Sequence, residues 1–130
     1  MTGNRYLLDT NIVIALFAGE SAIRDRLAAS DDVSVPSIVI GELHYGAHKS
    51  GRIAENVRRV EEFAGASSVI PCDAGTGAVY GLIKAMLQAK GRPLPENDIW
   101  IASIARQHGL TVVSRDSHFN DIDQLALEVW

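Results

Sequence analysis

Short apolar runs alternate with helical segments along the whole chain, and no other feature constrains its fold as tightly. Tyr6–Leu8, Val33–Val35, Ser68–Ile70 and Leu110–Ser114 are brief, rich in branched or apolar side chains, and bounded by turn signals such as Asp31-Asp32 and Pro36. Between them, Ile12–Phe17, Ser21–Ser30, Ser37–Lys49, Arg52–Ala64, the glycine-containing Asp73–Lys90 and Asn97–His108 read as helices, the last ended by Gly109. Ala126–Val129 is a candidate fifth strand. Strands that alternate with helices build βαβ units around a parallel sheet. The expectation is therefore a three-layer α/β/α domain with a central, mainly parallel sheet of four to five strands. Residues 1–130 form one domain, since no repeat or linker divides them.

Composition narrows the class. Hydrophobic residues at 47% and charged residues at 22% are ordinary for a soluble globular protein. The single cysteine, Cys72, staples nothing and reads as a small core residue. Asp9 interrupts the N-terminal apolar run too early for a secretory signal, and no apolar stretch reaches the ~18 residues of a membrane span. A cytoplasmic location is expected. The net charge of −4 argues against a phosphate-binding surface unless several acids are committed to cations.

Four acids stand where such a commitment makes sense. In a parallel α/β sheet the returning helices start at the carboxyl ends of the strands, the edge at which ligands bind. Asp9 follows the first strand and Asp116 the fourth. Glu42 lies between Ile38 and Gly46 when Ser37–Lys49 is wound at ~100° per residue, inside the apolar arc, while His44 and His48 take the polar side. Asp98 falls between Ala102 and Ala105 in the first turn of its helix, where Asn97 can act as the cap. Taken alone, Asp9 reads as the cap of the first helix, but Thr10 or Asn11 can cap it equally well, which leaves Asp9 spare. Two carboxylates about 5 Å apart repel by roughly 3 kcal/mol at an effective dielectric near 20, so a crowd of four needs a cation. Oxygen ligands without cysteine or histidine favour Mg2+ or Mn2+ over zinc.

Leu7-Leu8-Asp9-Thr10-Asn11, Ile40-Gly41-Glu42-Leu43, Asn97-Asp98-Ile99-Trp100-Ile101-Ala102 and Val113-Ser114-Arg115-Asp116-Ser117-His118-Phe119 resemble the motifs of PIN-domain nucleases. In particular the chain resembles the VapC-type toxins of bacterial toxin–antitoxin pairs, over nearly its whole length. The resemblance implies a PIN-like fold and a metal-dependent endoribonuclease. Asp9, Glu42, Asp98 and Asp116 would hold Mg2+ or Mn2+, with Thr10, Asn11 and Ser114 in support. The fourth acid is the family's most variable position, and Asp121 and Asp123 are nearby alternatives to Asp116. After Asp123 this chain has Gln124 where many relatives have glycine.

The resemblance further implies an RNA substrate and a small VapB-like antitoxin whose tail enters the acidic groove. It also implies pairing as a homodimer. Hydrolysis by water would leave 5′-phosphate and 3′-hydroxyl ends. Lys49, Arg52, Arg58, Arg59, Lys84, Lys90 and Arg92 are candidate grips for the RNA backbone, and His118 reads as a surface residue. Two other readings compete. One is a PIN-like module that binds RNA or a partner without cutting. The other is a phosphatase forming an aspartyl-phosphate at Asp9, but that chemistry needs a second acid where Asn11 stands.

Overall fold

The computed structural model describes residues 4–130. Five strands form one sheet in the order β3-β2-β1-β4-β5, comprising β1 (Arg5–Leu8), β2 (Asp32–Pro36), β3 (Ser68–Ile70), β4 (Thr111–Val113) and β5 (Leu127–Glu128). Every pairing is parallel, with Leu7 opposite Ser34 on one side and Val112 on the other. Six helices flank the sheet: α1 (Thr10–Phe17), α2 (Ser21–Ala28), α3 (Ser37–His48), α4 (Ile53–Ala66), α5 (Ala74–Lys90) and α6 (Glu96–His108).

Strand β1 is central and covered on both faces, which is why Leu7 and Leu8, pointing to opposite sides, are both fully buried. Val112 and Val113 repeat this in β4. Ile12 and Val13 of α1, Val39 of α3, and Ile101, Ala102 and Ala105 of α6 close the core over them. The small alanines let α6 lie close to its neighbours. Tyr80 of α5 and Trp100 of α6 stack at 4.0 Å between ring centroids.

The order of strands has one consequence for function. The chain moves outward from β1 through β2 to β3, then returns to the far side of β1 to lay down β4 and β5. The direction of winding reverses between β1 and β4, so a crevice opens there at the carboxyl ends of the strands.

Several local expectations need correction. Asp9, not Thr10 or Asn11, occupies the cap of α1, and Thr10 is already helical. Pro95 takes the cap position of α6, without a side-chain cap bond, which moves the helix start to Glu96 and puts Asn97 inside it. The buried stripe of α3 is Val39, Leu43 and Ala47, so Glu42 sits on its flank, not among core residues. Cys72 is exposed. A 3-10 turn at Ser117–Asp121, too short to show a helical period, lies between β4 and β5. In α5 a Cβ on Gly75 would press on the Gln107 amide at 2.7 Å, whereas one on Gly77 or Gly81 would meet open space.

Candidate metal centre

The crevice is built from the two strands that flank the reversal. Asp9 is the first residue after β1, and its backbone N–H still continues the ladder, donating to Val113 of β4 at 3.0 Å. This register aims the side chain across to the segment leaving β4. The carboxylate is 5% exposed and divides its two oxygens. Oδ1 accepts the Thr10 N–H at 2.8 Å, and Oδ2 accepts the Ser114 hydroxyl at 2.7 Å. One oxygen therefore serves the helix start while the other faces the site, and cap and ligand are compatible roles.

Ser114 ties the floor together. Its buried hydroxyl oxygen also accepts from the Asp116 N–H at 2.9 Å and from the Asn11 amide at 3.4 Å. Asn11 in turn accepts the Arg115 N–H at 3.2 Å. These bonds fix the chain from Ser114 to Asp116 against α1, and Asp116 is thereby carried to the mouth of the crevice. Asp116 Oδ1 accepts the His118 N–H at 2.9 Å and so caps the 3-10 turn.

Asp98, in the first turn of α6, completes the group. Its Oδ2 lies 3.2 Å from His118 Nδ1, which is also 3.1 Å from Asp116 Oδ1. One donor atom from each of Asp98, Asp116 and His118 falls within 4.8 Å of the other two. Glu42 stands at the rim, where the Thr10 hydroxyl donates to its Oε1 at 2.9 Å. Of the four acids expected from the sequence, Asp9, Asp98 and Asp116 are close enough to repel one another. Glu42 joins them through Thr10.

The electrostatics carry the mark of that crowding. Burial pushes the Asp9 carboxyl above its usual range, against the hydrogen bonds from Ser114 and Thr10, and the Asp116 charge adds to the rise. Burial also raises Asp98, helped by the charges of Asp9 and Asp116 and opposed by His118. His118 is raised by its bond to Asp98 and by the charge of Asp116. The sequence reads this histidine as a surface residue near Asp116, and it is exposed, but that reading does not foresee its contact with Asp98. The available signal was its spacing, since an aspartate capping a tight turn holds the residue two positions on beside its own carboxylate.

Other basic side chains are more occupied than their sequence positions suggest. Lys84 pairs with Glu96, and Lys90 pairs with Asp123 at 2.6 Å while donating to the Asp121 carbonyl. That pairing turns the Asp123 carboxylate toward α5. Lys49 is better placed for a ligand. It lines a groove of about 690 Å³ with Thr10, Ile38, Glu42, Tyr45 and Asn97. A second groove of about 250 Å³ runs between α1, α3 and α4, lined by Ile14, Phe17, Leu43, Arg59 and Val60, and it too reaches Glu42.

Comparison with known proteins agrees with this architecture. The PIN domain family model matches residues 6–125. Ribonuclease VapC2 of Haemophilus influenzae is 36% identical over 129 residues, spanning 97% of this chain and 98% of its own. The tRNA(fMet)-specific endonuclease VapC of Shigella flexneri is 33% identical over the same shares of the two chains. Among solved structures, DNA-bound VapBC from Salmonella typhimurium superimposes with a TM-score of 0.91 at 31% identity, covering 98% of this chain and 99% of that one. VapBC2 from Rickettsia felis, bound to a DNA fragment from its promoter, gives 0.89 at 31% identity, covering 96% and 98%. The chain belongs to the PIN domain family, in its VapC branch.

Proposed function

We propose that this chain is a metal-dependent endoribonuclease toxin that hydrolyses RNA phosphodiester bonds and is restrained by a VapB-like antitoxin. The observation that carries the reading is the convergence of Asp9, Asp98 and Asp116 on the crevice between β1 and β4, where burial and mutual repulsion raise Asp9 and Asp98. The donor chemistry fits a hard dication. Asp9, Asp98 and Asp116 would hold Mg2+ or Mn2+, with Glu42 contributing from the rim. When bound, such an ion supplies the Lewis acidity that activates water and stabilises charge on phosphate oxygens.

The remaining work belongs to the chain itself. Ser114 and the Thr10 N–H hold Asp9 in one orientation, and the Thr10 hydroxyl does the same for Glu42. Asn11 accepts the Arg115 N–H and so fixes the loop after β4 against α1. Lys49, beside Glu42 in the larger groove, offers a cation to the RNA backbone.

The partner reading rests on the relatives solved as VapBC complexes. The apolar groove of Ile14, Phe17, Leu43 and Val60 ends at Glu42, and it suits an apolar antitoxin segment that finishes in a cation. Pairing as a homodimer belongs to the same proposal. So does a cytoplasmic location; among the described residues no helix is long and apolar enough to cross a membrane.

The test incubates the purified protein with total RNA and Mg2+ or Mn2+, with and without chelator, alongside Asp98→Asn. Cutting should need the ion, be lost in the variant, and leave 5′-phosphate and 3′-hydroxyl ends. Ends bearing a 2′,3′-cyclic phosphate, or a variant that cuts as well as the parent, would overturn the assignment. RNA bound but left intact under every metal condition would favour the non-cutting module.

A further inference from the structure

The metal reading above uses carboxylates, yet an imidazole nitrogen stands beside two of them. His118 Nδ1 stands 3.1 Å from Asp116 Oδ1 and 3.2 Å from Asp98 Oδ2. Both are hydrogen-bond distances, and they also bring the three donor atoms close enough that one ion would be held by all of them.

The main chain that carries the ring is fixed, and the ring itself meets the two acids. Asp116 caps the 3-10 turn through the His118 N–H, and Phe119, the next residue, is 1% exposed and anchors the turn in the core. Asp98 reaches the same point from α6, an element fixed by Ile99, Ile101 and Ala102 in the core. Three donor atoms from two independently anchored segments thus meet within 4.8 Å.

We propose that His118 is a metal ligand through Nδ1, beside Asp98 and Asp116, so that the centre is a mixed nitrogen–oxygen site that prefers Mn2+ and other transition dications to Mg2+. The inference rests on the reading of the acids as an ion site. Its chemical basis is that Mg2+ selects oxygen donors, while imidazole nitrogen suits transition ions. Losing an imidazole ligand therefore weakens Mn2+ far more than Mg2+. The competing arrangement has His118 bridging the two acids by hydrogen bonds and swinging out when the ion enters. Only direct ligation puts nitrogen on the metal.

Pulsed electron paramagnetic resonance of the full chain loaded with Mn2+ separates the two. Electron spin-echo modulation should show a directly bound 14N, and His118→Gln should abolish it while keeping the parent's circular dichroism. The same variant should bind Mn2+ about 10-fold more weakly by calorimetry, with Mg2+ binding little changed. Modulation that persists in His118→Gln would assign the nitrogen to another histidine and overturn the proposal. Tightly bound Mn2+ without 14N coupling, or an unchanged Mn2+ to Mg2+ affinity ratio in the variant, would overturn it while leaving the carboxylate site standing. Failure of the parent to bind Mn2+ at all would bring down both readings.

Discussion

Removing one of the crowded charges should stabilise the ion-free protein and disable the ion-bound one. Consider Asp98→Asn. The donor oxygens of Asp98 and Asp116 lie within 4.8 Å of each other. At that separation two charges repel by about 1–3 kcal/mol, the range set by an effective dielectric between that of water and that of a partly buried site. Asp9 adds to the repulsion. Against it stands His118, which when protonated attracts Asp98.

The sign with pH follows from the two shifts. The Asp98 carboxyl is raised in the folded state, so the native protein binds more protons than the unfolded chain, and stability falls as pH rises through the folded value. His118 is raised above its ordinary 6.5, so its contribution is present below that pH and is lost as pH climbs through the folded value. The parent therefore loses on both counts as pH rises, and Asp98→Asn escapes the first wholly and the second in part, since Asp116 still attracts the imidazolium. In chelator at pH 9 the variant should be more stable by about 1–2 kcal/mol, which for a domain of this size is roughly 3–8 °C in Tm. Near pH 6, where the imidazolium still pairs with Asp98, the gap should close.

Mn2+ should reverse the order. An ion at one hundred times its Kd stabilises the state that binds it by about 2.7 kcal/mol, and the variant has lost a ligand. Differential scanning calorimetry with chelator or Mn2+, at several pH values, reads each of these differences. A variant that melts below the parent in chelator at pH 9, or a gap that does not change with pH, would refute the crowding argument.

Ser114→Ala should cost about 1.5–3 kcal/mol, the worth of a hydrogen bond to a buried charged carboxylate, and push Asp9 higher still; urea unfolding measures the first, and weaker Mn2+ binding by calorimetry reports the second. Gln124 sits at φ 62°, in the left-handed region. Gln124→Gly relieves about 1–2 kcal/mol of backbone strain and gives back about 0.4–1 kcal/mol through the freer unfolded chain. The variant should gain stability in urea and cut RNA as the parent does; a loss of stability would show that the Gln124 side chain matters more than its backbone.

That strain rests on a single backbone angle, which the sequence does not display. The larger features were legible because they rest on repeated rules. Strand–helix alternation specifies a parallel sheet, and a parallel sheet gathers the helix starts at one edge, so four acids are expected together there; Asp98 and Asp116 lie near Asp9, and Glu42 meets them only through Thr10. What escaped depends on pairs that no period reveals. A carboxylate with two oxygens can cap α1 and face the site together, which the choice between cap and ligand at Asp9 did not allow for. Lys84 and Lys90 looked like free cations until tertiary contacts paired them with Glu96 and Asp123. His118 belongs to a turn of five residues, where neither helical nor strand spacing speaks.

The acidic balance of the chain and its proposed RNA substrate are reconciled at the crevice, not over the whole surface. A net charge of −4 spread evenly would repel a phosphate backbone only weakly once salt screens it. Three carboxylates at one mouth repel it strongly, because partial burial limits screening there. Under the proposed function a bound dication would offset two of those three negative charges and give the scissile phosphate a positive centre to approach. Ser114, Asn11 and the capped turn hold those acids against their own repulsion through short-range bonds to backbone and hydroxyl groups. The scaffold therefore holds the acids in place by its own bonds, and the role proposed for the ion is to make that site receptive to an RNA phosphate.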